Sequence, residues 1–260
     1  MLDRITPVVL TRDEEPNIDR CLRQLAWAAD VVVVDSFSTD ATVEIARRFG
    51  NVRLLQRAMD DLAGQSNFGL EQARTAWALL LDADYVLSPA FVDELRTLVP
   101  GSGVHAYTAS FVYAMGGRPL RGSLYPPRIV LLERAHSRVW QDGHAHRVRV
   151  QGTTGVLQAP VVHDDRKSFR SFIERQRRYM RQEAEKLDRT EGPQALSSRV
   201  RRLVVVAPFA ALFYTLVIKG LVLDGWPGLH YAGERFVAEA ILSWELIRRR
   251  LGGRRGGEAT

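Results

Sequence analysis

Short apolar runs alternate with polar, turn-rich segments and amphipathic stretches along the first ninety residues. Ile5 to Leu10 reads as a first strand, followed by a polar turn through Thr11-Arg12-Asp13-Glu14-Glu15-Pro16. Asp13 or Glu14 opens a helix that tolerates Pro16 in its first turn. Ile18, Cys21, Leu22 and Leu25 give that helix one apolar face. Asp30 breaks the period, and Val31 to Val34 predicts a second strand covered on both faces. A helix is expected from about Ala41 to Phe49, closed by Gly50 at its C-terminal cap. Val52 to Leu55 predicts a third strand, Gly64-Gln65-Ser66-Asn67 the start of a helix, and Leu79 to Leu81 a fourth strand. Such alternation predicts a doubly wound α/β sheet.

The fourth strand sits in Trp77-Ala78-Leu79-Leu80-Leu81-Asp82-Ala83-Asp84, where an apolar run ends in two acids. Residues i and i+2 of an extended chain share a side. The carboxyl edge of an open α/β sheet is where ligands bind. Two carboxylates there repel unless something compensates. Mg2+ or Mn2+ shared with a substrate phosphate would do so; a pair of turn-capping acids is the plainer alternative. Asp35-Ser36-Phe37-Ser38-Thr39-Asp40 poses the same choice. Ser38 or Asp40 could cap the next helix, or Asp35 could contact a nucleoside wrapped by the turn. Neither the dinucleotide glycine pattern nor a phosphate-loop Gly-Lys-Ser/Thr is present, which disfavours NAD binding and ATP hydrolysis.

Beyond Pro89 to Leu98, a short helix, Val104 to Ala114 reads as one alternating strand and Gly116 to Leu120 as a hairpin-like turn. Val161-Val162 predicts a strand ending in His163-Asp164-Asp165. Ser168 to Leu187 predicts a basic helix, with Phe169, Phe172, Ile173, Tyr179 and Met180 in one stripe and arginines over much of the rest. Leu203 to Ile218 is apolar, contains Pro208, and is short of a comfortable membrane span. A segment lying in the inner leaflet suits it, a buried core helix being the alternative. Tyr231 to Arg250 predicts a last amphipathic helix. The expected division is a catalytic α/β domain over 1–167, a helical, membrane-associating region over 168–251, and a disordered tail over 252–260.

Composition sharpens this picture in two places. The net charge of +6 is concentrated in the C-terminal half, around 170–181, 199–202 and 248–255. That implies an anionic surface as partner. No nucleic-acid module accompanies it, so membrane is favoured over nucleic acid. One cysteine, Cys21, excludes an intrachain disulfide framework and a cysteine-rich zinc site, and favours a reducing compartment. No secretory signal is visible in Met1-Leu2-Asp3-Arg4.

The ordered set Val8 to Ile18, Val31 to Thr42, Gln65-Ser66-Asn67-Phe68 and Leu81-Asp82-Ala83-Asp84 resembles family 2 glycosyltransferases, in particular their lipopolysaccharide-core glucosyltransferase-like branch. Tyr125-Pro126-Pro127-Arg128 resembles a further segment of that family. The resemblance implies a GT-A fold, a nucleotide-sugar donor and inversion at the anomeric carbon. It puts Thr11 and Glu14 in the base pocket, Asp35 on the uracil or ribose beside Ser38, and Asn67 at the border of the donor site. It puts Asp82 at the ribose or sugar, Asp84 on the metal and Arg128 near the donor phosphates. His163 matches a histidine that completes the metal site in many GT-A enzymes.

Leaving-group neutralisation by a metal and one base for the acceptor hydroxyl complete the chemistry. Many relatives carry a His-Glu pair before a strand and glycine; here His146 is followed by Arg147. Asp142, His144, His146 and Asp164 are the remaining acid-base candidates, with Asp142 preferred. Together these features predict a metal-dependent inverting transferase on the cytoplasmic face of the inner membrane, using a UDP-sugar and a lipid-linked or lipopolysaccharide-like glycan acceptor. Two rivals are a polyprenyl-phosphate glycosyltransferase and a catalytically silent membrane-bound nucleotide-sugar binder.

Overall fold

A computed structural model describes residues 1–142, 145–189 and 203–255. The chain forms two compact units. One holds Met1–Pro119 and Tyr125–Lys167; the other holds Leu120–Leu124 and Ser168 onward.

The first unit is built on β1 (Ile5–Thr11), β2 (Val31–Asp35), β3 (Val52–Gln56) and β4 (Trp77–Asp82), all parallel. Helices α1 (Glu15–Arg23), α2 (Thr42–Ala46) and α3 (Leu62–Gln72) connect them, and α4 (Pro89–Thr97) follows later in the unit. The sheet grows beyond β4 through β9 (Arg128–Glu133), which is antiparallel, then β6 (Val104–Ala109) and β12 (Thr153–Val156), giving the order β12-β6-β9-β4-β1-β2-β3. Strand alternation splits the apolar residues between two cores. Val9, Val31, Val33, Leu79 and Leu81 face one layer with Ile18 and Leu22 of α1. Val8, Leu10, Val32, Val34, Ala78 and Leu80 face the other with Ala63 and Leu70 of α3. Both faces are therefore covered, which is why these strands read as unbroken apolar runs.

Three local expectations give way to packing. Helix α2 ends at Ala46, because the chain tightens into i→i−3 turns at Arg48 and Phe49; Gly50 is not left-handed. Helix α3 begins two residues before Gly64, capped by Asp61, whose carboxylate accepts from Gly64 N at 2.6 Å. The stretch Val104 to Ala114 is two strands. A register shift follows Tyr107, and at Ser110 the chain leaves the main sheet. Residues Phe111–Met115 (β7) join a second sheet ordered β5-β13-β7-β8, with β5 (Tyr85–Leu87), β13 (Val161–His163) and β8 (Arg118–Pro119). A separate hairpin, β10 (Ser137–Asp142) with β11 (Ala145–Val150), packs on α3.

In the second unit, α5 (Phe169–Arg189) packs against a long last helix, α7 (Trp226–Arg255), through Met180, Ala184, Leu187, Leu242 and Leu246. The apolar run at 203–218 forms α6 (Val206–Phe213) and a π-helical turn, Tyr214–Ile218. The final helix enters the stretch expected to be disordered, as far as Arg255. Among the described residues, no helix is long and apolar enough to cross a membrane. Arg199, Arg201 and Arg202, counted above in the basic excess, lie outside the described residues.

Candidate active site

Parallel pairing brings the carboxyl ends of β1, β2 and β4 to one edge, and that edge carries the polar residues. Thr11, Asp35 and Gln56 share one rung across β1, β2 and β3, and Asp82 pairs with Leu10 next to it. Asp35 is fully buried. It accepts from Thr11 Oγ1 at 3.0 Å, Gln56 Nε2 at 3.1 Å, and the backbone N and Oγ of Ser38 at 3.0 and 2.5 Å. A buried carboxylate needs such donors. The predicted partners Thr11, Asp35 and Ser38 are thus one hydrogen-bonded group, to which the structure adds Gln56.

The loops after β1 and β2 are laced together. Asp13 N donates to Ser38 Oγ, Thr39 N to Asp13 Oδ1, and Glu14 N to Thr42 Oγ1, at 2.7–2.8 Å. Asp13 and Phe37 hold left-handed backbone, φ 51° and 55°. Non-glycine residues in that region are uncommon and concentrate at functional turns. Phe37 projects its ring outward from this turn, 55% exposed.

Next along the edge lies an ionisable cluster. His163 Nε2 is 3.0 Å from Asp84 Oδ2. Rings of Tyr85, Tyr113 and Tyr125 surround the imidazole at 4.6–5.5 Å between centroids. Burial opposes protonation of His163, but the charge and hydrogen bond of Asp84, with Asp82 and Asp165, raise it above its ordinary value. Arg128 lies over the Tyr125 ring at 4.5 Å. Burial again works against its charge, outweighed by Tyr125, Tyr85, Asp82 and Asp84. Glu14 is ion-paired with Lys167 and accepts from Asn17 Nδ2 at 2.9 Å. Burial pushes its carboxyl up to about 8, with Lys167 opposing and Asp84 reinforcing. Asp84 is therefore in electrostatic reach of Glu14, Arg128 and His163, and Asp82 of Arg128 and His163.

The 3.0 Å between Asp84 Oδ2 and His163 Nε2 is the length of a hydrogen bond and also of two neighbouring ligands on one divalent ion. Adjacent octahedral ligands with bonds of about 2.1 Å stand about 3 Å apart, and the pair offers one hard oxygen and one imidazole nitrogen at that separation. Among the described residues, the only group of three His, Cys, Asp or Glu side chains able to share an ion is His105, Glu133 and His136. It lies at the opposite edge, because Glu133 pairs with Trp77 at the amino end of β4.

Other predicted residues take different places. Asn67 clamps the hairpin: its Nδ2 donates to Val139 O at 2.8 Å and its Oδ1 accepts from Val139 N at 3.0 Å. Asp142 ends β10 and accepts from Arg147 Nε at 2.5 Å. The Arg that replaces the expected glutamate thus engages the preferred base. His146 pairs with Gln141 through the backbone, and His144 lies outside the described residues. Asp164 is buried and accepts from Arg20 Nη1 at 2.7 Å, Gly117 N at 3.0 Å and Arg166 Nε at 3.1 Å. Its bonding is that of a structural anion rather than of a base. Asn17, Lys167, Gln56 and Tyr85 escaped the sequence reading. Tyr85 carried a signal, directly following Asp84, and Asn17 lies one turn from Glu14; Lys167 and Gln56 act through long-range contacts.

The sequence matches the profile described as Glycosyl transferase family 2 over residues 7–150, more than half the chain. The chain belongs to glycosyl transferase family 2. Its matched region holds the edge described above except for His163 to Lys167, which follow it. The lipopolysaccharide core biosynthesis glycosyltransferase LpsC of Rhizobium meliloti is 31% identical over 100 residues, which is 37% of this chain and 36% of that protein. An uncharacterized glycosyltransferase of Rickettsia bellii is 32% identical over 107 residues, 41% of this chain and 36% of the relative. The chain thus spans little more than a third of the curated relatives it matches. Glucosyl-3-phosphoglycerate synthase from Mycobacterium tuberculosis, solved with phosphoglyceric acid, superposes with a TM-score of 0.50 at 18% identity, covering 74% of this chain and 81% of that one. That likeness and the mixed sheet give this family 2 member a GT-A-like fold.

Proposed function

We propose that the protein transfers a sugar, with inversion, from a nucleotide-sugar, a UDP-sugar in the first instance, to a hydroxyl of a lipid-linked or lipopolysaccharide-like glycan. The observation that carries this reading is the continuity of one sheet edge, with a buried Thr11–Asp35–Ser38 group beside the Asp82, Asp84, Arg128 and His163 cluster. The first group fixes the turn after β2 that would wrap a base and ribose. The second combines acids that hold a cation with a guanidinium suited to phosphate. Asp84 and His163 would hold Mg2+ or Mn2+, which when bound neutralises the departing diphosphate. We assign Asp82 to the ribose or sugar and Arg128 to the donor phosphates. Asp142 is the base we favour, its carboxylate accepting from Arg147 Nε at 2.5 Å; His146 is the second choice. Asp164 is withdrawn from that role by its three donors.

The second unit supports a membrane-borne acceptor. Val205, Phe209, Phe213, Val217, Ile218, Leu223 and Trp226 are each more than half exposed within it. Solvent-facing apolar residues this dense mark a docking surface, and their length suits lying on the inner membrane face rather than crossing it. A polyprenyl-phosphate acceptor would use the same donor half; acid lability of the product distinguishes its phosphodiester from a glycoside.

Calorimetric titration with UDP, GDP and dTDP, with and without Mn2+, tests the donor site. Metal-dependent binding of one nucleotide, lost in Asp84→Ala, is the expected result. Binding with no turnover on any acceptor would favour a silent binder, and absence of binding by folded protein with Mn2+ present would overturn the donor reading.

A further inference from the structure

A groove of about 570 Å3 runs along the second unit between α5 and α7. One wall is the stripe Val237, Ala240, Ile241 and Trp244 of α7. Trp244 is 67% exposed on it. The other wall carries Arg177 and Arg181 of α5, and Arg248 closes one end. Arg177 and Arg181 stand four residues apart on one helix face, a destabilising arrangement for like charges. Neither has a carboxylate partner among the described residues, although neighbouring Arg170 pairs with Glu174 and Arg178 packs on Tyr179. The groove's own acid, Glu245, is already neutralised: Arg248 Nη2 and Arg249 Nε donate to it at 2.8 and 3.2 Å.

The groove therefore presents two uncompensated guanidiniums beside an apolar floor with an exposed indole. Guanidinium forks match phosphate oxygens bidentately. Indoles settle where an apolar body meets a wet, polar head. An aqueous anion would use the first feature and leave the second unexplained; a nonpolar ligand would do the reverse. A volume of this size is also that of a small-molecule pocket rather than of a helix seat.

We propose that the α5–α7 groove binds an anionic phospholipid of the bilayer, its headgroup on Arg177 and Arg181 and its chain along Ile241 and Trp244. This deepens the membrane reading above and rests on it. The general apolar face of α6 would give attachment to any bilayer, whereas the groove gives preference for anionic lipid.

The test is flotation of the full chain with phosphatidylcholine vesicles and with vesicles containing phosphatidylglycerol, for wild type and Arg177→Gln/Arg181→Gln. The expected result is tighter wild-type binding to the anionic vesicles, weakened about thirty-fold in the double variant, with phosphatidylcholine binding unchanged. Lipids brominated on their chains should quench a fluorescence component that Trp244→Phe removes. Anionic preference that persists in the double variant overturns the groove while leaving membrane attachment standing. Displacement from the vesicles by millimolar inorganic phosphate would make it a free-anion site instead. Failure to bind either vesicle overturns the groove and the membrane reading together.

Discussion

His163 shows how one side chain can carry two opposed demands. Its imidazole is buried among three tyrosine rings, which opposes charge, yet Asp84 at 3.0 Å favours it, and the charge wins. A histidine raised in the folded state stabilises it fully below the unfolded value of about 6.5, and that contribution is lost as pH rises through the raised folded value. In metal-free protein, the melting temperature of wild type relative to His163→Gln should fall as pH rises from 6 to 9. A constant difference over that window would sink this account. Because only the neutral ring ligates, Mn2+ affinity should rise over the same window. Cys21 is a quieter case. Burial pushes its thiol up to about 12, so it is a packing residue of α1.

At the scale of elements, the donor edge depends on how closely helices approach strands. Gly69 of α3 lies over β1 and β2: a Cβ there would overlap Val8 Cγ1 and stand 3.1 Å from Val34 Cγ2. Gly69→Ala should therefore destabilise the protein by about 1–3 kcal/mol, read as a lower denaturation midpoint with an unchanged slope. No shift would mean that α3 can back away at little cost. The same helix holds the β10–β11 hairpin through Asn67, so the preferred base on that hairpin is positioned from α3. An isolated Asn in a helix gives no sign of its partner seventy residues on; its two bonds to Val139 exist only because the hairpin folds back over α3.

The whole chain joins a buried-core α/β unit to a helical unit that exposes apolar residues between Leu203 and Leu229. Replacing Phe209 and Phe213, about 60% exposed, by serine should lower the melting temperature only slightly, the main loss being the edge-on contact of Phe209 with Phe236 at 5.3 Å between ring centroids. Binding to phosphatidylcholine vesicles should drop severalfold, measured by flotation, and nucleotide binding by the first unit should not change. A large loss of stability instead would mean that these rings pack where they now face outward.

The sequence by itself determined the first four strands, their parallel order with helices between, and the edge to which Asp35, Asp82 and Asp84 would come. Each is encoded locally, by unbroken apolar runs that demand cover on both faces and acids at their carboxyl ends. What only the tertiary structure decided are pairings between distant segments. Asp164 became a structural anion because Arg20 and the Gly117 amide reach it. Gln56 joined Asp35 because β3 pairs in register with β2. The strand at 104–114 broke because two sheets compete for it at Ser110. None of these leaves a local period or motif, since the energy of a long-range contact belongs to both partners and is written in the sequence around neither.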